Sequence, residues 1–268
     1  MPPKKQCFLT MLQMTLAVAL TTAAAPLARS QSLASQETMT FAVASVRPNN
    51  SPGTQFRLAF TDDGVRVSNA SLLMIIRAAN GMFNSLDDKF IGIPNWAKTE
   101  KFDIEAKVDS SDAAAFKKMP FSQRQQMVQV MLTERFQLKT HLEMKEQAVY
   151  ALVVAKGGAK LKLAQPAEGS DPGGTIARKK GEIAAQNIVL SQLISALTQT
   201  LGRTVQDRTT ELTGKYDITL DWAPDDDAQD SGASIFTAIQ EQLGLKLEST
   251  KGMVQCLVVD HVERPSEN

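Results

Sequence analysis

The stretch "KFDIEAKV" at residues 101–108 returns as "KYDITLDW" at residues 215–222. Both run Lys, aromatic, Asp, Ile, and then alternate polar with apolar residues. In the first, Phe102, Ile104, Ala106 and Val108 share one side, while Lys101, Asp103, Glu105 and Lys107 share the other. Successive side chains of a strand point to opposite faces, so this alternation predicts a strand with one buried and one wet face. The second copy predicts burial of Tyr216, Ile218, Leu220 and Trp222 in the same way.

The flanks of the two lines also correspond. Before the first, "FRLAF", "TDDG" and "VRVSN" predict a hairpin; before the second, "TIARKKGEIAAQ" predicts another, with Gly181 answering Gly64. A helix follows each hairpin. Leu72, Ile75, Ile76 and Ala79 fall on one helical face before Gly81, and Leu190, Leu193, Ile194, Leu197 and Leu201 do so before Gly202. After each repeated strand comes a second helix. The first, "SQRQQMVQVMLTERF", carries Ser122 and Gln125 as an expected capping box and Met127, Val130 and Met131 as its apolar stripe. The second, "SIFTAIQEQLG", offers Phe236, Ile239 and Leu243. Two strands then close each half: "QLKTHLEMK" and "AVYALVVAK" in the first, "LKLES" and "VQCLVVDHV" in the second.

The expected fold is therefore α+β. An internally duplicated hairpin-helix-strand-helix-strand-strand unit makes mainly antiparallel sheets, with helices packed on one side. One such unit leaves apolar surface bare, and a second can cover it. The expected organisation is a signal peptide over 1–30, a linker over 31–40 and a first half over 41–156. A Gly/Pro-rich linker over 157–174 and a second half over 175–268 complete it.

The start of the chain sets the cellular address. Lys4 and Lys5 precede an uncharged, apolar-rich stretch from Cys7 to Ala25, and Ala28-Arg29-Ser30 supplies the small residues of a cleavage site. This predicts export to the periplasm or the medium, with no stable membrane insertion after the signal is cut. The first 30 residues hold Lys4, Lys5 and Arg29 and no acid, so their removal takes the balance of 29 basic and 29 acidic residues to a net charge of −3. That leaves no basic excess for phosphates and argues against nucleic acid as a partner. Cleavage also removes Cys7, and Cys256 alone cannot form an internal disulfide.

Motifs of known chemistry are sparse. His141 and His261 stand far apart in the sequence, HExxH is absent, and no G-x-S-x-G elbow or phosphate loop occurs. Cys256 lies in an apolar strand, where a thiol is ordinarily inert packing. "DDDAQD" at 225–230 lacks the Gly and distal Glu of a calcium loop. No catalytic residue, cofactor or metal is assigned. Asp103 and Asp217 are the pair the duplication would place equivalently. Two converging carboxylates can share acid–base work, whereas Lys101 and Lys215, two residues away on the same faces, suggest ion pairs instead. Trp96, in "GIPNW" on the long loop before the first repeated line, is the third candidate contact, for a ligand or partner.

"LGRTVQDRTTELTGKYDITLDWAPD" with "SIFTAIQEQLGLKLESTKGMVQCLVVDHVERPSEN" resembles the C-terminal signature of a soil-associated family of uncharacterised exported proteins, expanded in Acidobacteria. "IGIPNWAKTEKFDIEAK" and "MLTERFQLKTHLEMKEQAVYALVVAKGGAKLK" resemble its first half. In some relatives a similar domain sits beside an integral-membrane metallopeptidase of the antibiotic-sensor type. The resemblance implies an extracytoplasmic sensing or interaction role and carries over no catalytic residue. The expectation is a non-enzymatic binding or interaction module of the bacterial cell envelope, with an envelope protein or small ligand as partner. The alternatives are a hydrolase using the paired Asp residues and a scaffold that assembles through a sheet edge.

Overall fold

Alternation becomes strand, and helical periodicity becomes helix, in the computed structural model, which describes residues 39–51, 53, 55–165, 173–209, 211–224 and 233–265. The expected signal peptide, the acidic run at 225–230 and most of the 31–40 linker lie outside the described residues. The first half runs β1 (Val43–Pro48), β2 (Arg57–Phe60), β3 (Gly64–Ser71), α1 (Leu72–Ala79), β4 (Phe90–Ile91), α2 (Asn95–Thr99), β5 (Lys101–Lys107), α3 (Ala113–Lys118), α4 (Phe121–Phe136) and β6 (Lys139–Val154). The second runs β7 (Lys162–Leu163), β8 (Thr175–Lys179), β9 (Glu182–Val189), α5 (Leu190–Leu201), β10 (Val205–Asp207), β11 (Lys215–Asp221), α6 (Ile235–Leu243) and β12 (Leu245–His261). The fold is α+β with mainly antiparallel sheets.

The repeated lines are β5 and β11, and each is an inner strand of a four-stranded antiparallel sheet. The orders are β1-β5-β3-β2 and β7-β11-β9-β8. A third sheet, ordered β10-β6-β12-β4, joins the halves. Its centre is β6 against β12, antiparallel from Val154 opposite Leu245 to Lys139 opposite His261. The short strands cross over: β4 of the first half runs parallel to β12, and β10 of the second runs parallel to β6. Each long strand also feeds the other half's core. Leu257 and Val259 of β12 pack with Phe102, Ile104 and Phe136, while Leu152 of β6 packs with Ile218, Leu220 and Leu197. Mutual burial of this kind makes Thr38–Asn268 one compact unit.

Several local expectations need correction. The two closing strands of each half are one continuous strand. The middle of the β6–β12 ribbon carries polar residues on both sides, so the apolar runs at its ends look separate in the sequence. Helix α4 has Pro120 as its N-cap with no side-chain cap, which places Ser122 inside the first turn and removes the expected capping box. Its buried face is Met127, Val128, Met131, Leu132 and Phe136, with Val130 only half-buried. In α6, Ile235 turns inward and Phe236 is exposed. Trp222 lies just past β11 and is half-buried, its amide donating to the Gly181 carbonyl at 2.9 Å. Gly64 does not match Gly181. In register Gly64 faces Lys107 as Glu182 faces Asp221, and an added Cβ at Gly64 would meet the Ala106 carbonyl oxygen at 2.0 Å. Gly181 instead sits in the hairpin turn at φ +79°.

Candidate functional site

Asp103 and Asp217 lie in different sheets, on β5 and β11, and each is half-buried. Neither forms the expected pair with its neighbouring lysine among the interactions seen. Asp103 Oδ1 accepts the backbone N–H of Asn69 at 2.9 Å and the side-chain amide of Asn49 at 2.8 Å. Asp217 Oδ1 accepts the backbone N–H of Asn187 at 3.0 Å. Lys101 Nζ instead donates to the Gly53 carbonyl at 2.9 Å.

The acceptors are needed because Asn69 and Asn187 stand at φ +54° and +56°, where the strand register slips in both sheets. A bulge inserts a residue whose N–H leaves the ladder, and Asn tolerates the left-handed region better than most residues. A buried amide without a partner costs about 1–3 kcal/mol, so each carboxylate satisfies a donor that the bulge orphans. A sequence signal for this existed. The buried phase runs Val65, Val67 and then Ala70, and Ile183, Ala185 and then Ile188, slipping by one residue at each Asn. Asp103 also borders a shallow hollow of about 230 Å³ with Arg47, Arg66 and Glu105, where Arg66 pairs with Glu105 at 2.9 Å. The hydrogen bond from Arg66 holds the Glu105 carboxyl below its ordinary range.

Trp96 belongs to the short helix α2, not to a loop. It is half-buried against the first core, and the Arg264 guanidinium lies 5.1 Å from its ring centroid. Arg264 also forks onto Glu100 at 2.7 and 3.1 Å. Those hydrogen bonds push the guanidinium up and hold Glu100 down. The arrangement fastens the C-terminal tail over the indole.

The two histidines lie toward the same end of the β6–β12 ribbon, His141 opposite Val258 and His261 opposite Lys139. His141 Nδ1 lies 2.9 Å from Asp260 and His261 Nε2 lies 2.9 Å from Glu263, all exposed. Among the described residues no group of His, Cys, Asp and Glu is arranged to hold a metal ion. Cys256 is fully buried beside Val149 and Val254, and desolvation pushes its thiol up. Because its pKa is raised on folding, the stabilisation is present below the unfolded value and fades as pH rises through the folded one. Peptide mapping after treatment with a disulfide reagent at pH 8 should find Cys256 unmodified in the native protein and modified in denaturant. Native modification would mean that the central sheet opens.

A cleft that draws on both halves lies where the 81–89 segment meets α5. It encloses about 390 Å³. Ser191, Ile194, Ser195 and Thr198 form one wall, spaced along the flank of α5 next to its buried leucines, with Ile194 also packed on the second core and Thr198 buried. Met82, Phe83, Asn84 and Lys89 form another, and Thr204 and Val205 complete it. Thr198 Oγ1 accepts the Val205 amide at 3.0 Å, fixing the floor. Arg77 bonds Asp87 and stacks over Phe90 at 4.8 Å, holding the 3-10 turn Asp87–Lys89 that presents Lys89. None of these residues was singled out in the sequence as a site. The hydroxyls at 191, 195 and 198 were the available signal.

A family model for proteins of unknown function, DUF3738, matches residues 74–262. The chain belongs to the DUF3738 family. The DUF3738 segment spans the cleft, Trp96 and both repeated Asp residues, and leaves out the three strands before α1. No curated protein and no solved structure matches the chain. Among the described residues no helix is long and apolar enough to cross a membrane.

Proposed function

We propose that this DUF3738 protein is an exported, non-enzymatic binding module of the bacterial envelope, built from two copies of one unit. The observation that carries the reading is the employment of both repeated carboxylates. Each is turned onto the backbone of its own sheet, which takes the acid–base pair away from the hydrolase alternative. The polar cleft between the halves is a concave site of a size suited to a small ligand. The resemblance to soil-bacterial exported proteins, and to domains beside sensor-type membrane metallopeptidases, fits such a role.

Two measurements test the reading. N-terminal sequencing of protein recovered from its host should begin near Gln31, and an intact Met1 in the membrane fraction would show a membrane anchor instead of a cleaved signal. Native mass spectrometry of the same material should reveal a retained small ligand or envelope partner whose occupancy survives Asp103→Asn and Asp217→Asn. Turnover of a substrate that both substitutions abolish would establish the hydrolase instead.

One observation favours assembly as a second reading. Among the described residues, β10 covers only Tyr150–Leu152 of the outer edge of β6. Beside the uncovered part, Leu142 and Met144 are 57% and 50% exposed, with Met253 of β12 at 52%. A second copy adding the same edge would bring this stripe against itself. Light scattering should then show a dimer that Met144→Lys dissociates, and a monomer at all concentrations would exclude it.

A further inference from the structure

We infer that the cleft between the 81–89 segment and α5 binds a small acidic saccharide, one or two sugar rings bearing a carboxylate. The inference rests on the binding-module reading and names its ligand class. The first ground is the chemistry of the walls. Ser191, Ser195 and Thr198 offer a row of hydroxyls along one helical face, and Asn84 and Ser85 answer from the opposite side. Hydroxyls both donate and accept, which suits a ligand that presents the same groups in alternation.

The second ground is charge. Lys89 is the one charged residue among those lining the cleft, so the site favours a ligand with a single negative group. The 3-10 turn that carries Lys89 is held from two directions: Arg77 bonds Asp87, and Gln147 Nε2 donates to the Asp88 carbonyl at 3.2 Å. The ammonium is thus presented from a fixed backbone. The third ground is apolar surface placed next to the polar row. Met82, Phe83, Ile194 and Val205 share the lining, and Phe83 is 48% exposed although it also packs on Phe56 at 5.7 Å. A pyranose needs such a surface for its C–H face, whereas a bare inorganic anion does not.

An independent observation points to a missing partner. Thr204 lines the cleft and is only 8% exposed, yet its hydroxyl has no hydrogen-bond partner among the described residues. A buried hydroxyl left unpaired is costly; the Thr204 oxygen is closed off from solvent, so a ligand or an ordered water satisfies it where the cleft wall parts to admit the contact. The volume of about 390 Å³ is at the small end for ligand sites, which limits the occupant to one or two rings.

The test is an amide NMR titration of the purified protein with glucuronic acid, glucose and inorganic phosphate in parallel. Glucuronic acid should shift amides confined to residues 81–89 and 191–205. Glucose should bind more weakly, and phosphate should leave the cleft unchanged. Ser195→Ala should weaken glucuronic acid binding about fivefold, the loss of one neutral hydrogen bond. Lys89→Met should weaken it about tenfold or more and bring it to the level of glucose. Thermal melts of both variants should match the parent, separating lost binding from lost folding. Phosphate binding as well as the uronic acid, unchanged affinity in both variants, or no cleft shift with any probe at millimolar concentration would each overturn the inference. A retained envelope partner combined with a silent cleft would leave the binding-module reading standing and remove only this ligand.

Discussion

Phe136→Ala should destabilise the protein by about 3–5 kcal/mol, the usual cost of emptying a buried aromatic site. Phe136 is the last residue of α4, is fully buried, and meets Phe102 of the first repeated strand edge to face at 5.4 Å. Its backbone carbonyl also receives the Glu263 amide at 2.7 Å, so helix, sheet and C-terminal tail converge there. The surroundings cannot collapse to fill the space, because the first core holds α1, α4, two sheets and the end of β12 together. For a chain of this size the melting temperature should fall by about 2–4 °C for each kcal/mol lost. Phe121, at the other end of the same helix, is 63% exposed and serves as control. Phe121→Ala should cost about 1 kcal/mol or less, its main contact being the edge-to-face pair with Phe60. Equal losses from the two truncations would mean that α4 is not docked as described.

Asp103→Ala and Asp217→Ala should each cost about 1–3 kcal/mol by orphaning a bulge amide. Asp103→Ala should be the larger, because its carboxylate also holds Asn49, the residue that follows β1. Asp→Asn at either site should recover most of the loss, since the amide oxygen still accepts the same N–H. Urea denaturation of the four variants gives the ranking. If Asn is as damaging as Ala, the negative charge itself is required, and a site that uses that charge comes back into consideration.

The strand-helix-strand order was legible because the apolar periods of two and of 3.6 are clean in β5, β11, α1 and α5. All four residues expected on the α1 face, Leu72, Ile75, Ile76 and Ala79, are buried. The sequence concealed elements held by partners far along the chain. Strands β4 and β10 are two and three residues long and owe their existence to the opposite half's long strand. The role of Asp103 was hidden because Asn69, its bulge partner, precedes it by 34 residues. Charge patterning suggested Lys101 instead, but Lys101 reaches the Gly53 carbonyl. The cleft was illegible for a related reason. Its walls come from the 81–89 segment and from α5, and no local pattern announces that a loop of one half will face a helix of the other. Trp222 packs against the second core on the expected side but stays half-buried, because β11 ends one residue earlier, at Asp221.

The central claim is that the line written twice is a bulge clasp, with each Asp holding the amide of a left-handed Asn in the neighbouring strand. Hydrogen exchange at the Asn69 and Asn187 amides, followed residue by residue, measures this most directly. Both amides should be protected in the parent protein. Asp103→Ala should speed exchange at Asn69 by about tenfold or more and leave Asn187 unchanged, and Asp217→Ala should do the reverse. Amides that exchange freely in the parent, or that ignore the loss of their carboxylate, would contradict the claim and return Asp103 and Asp217 to the list of candidate site residues.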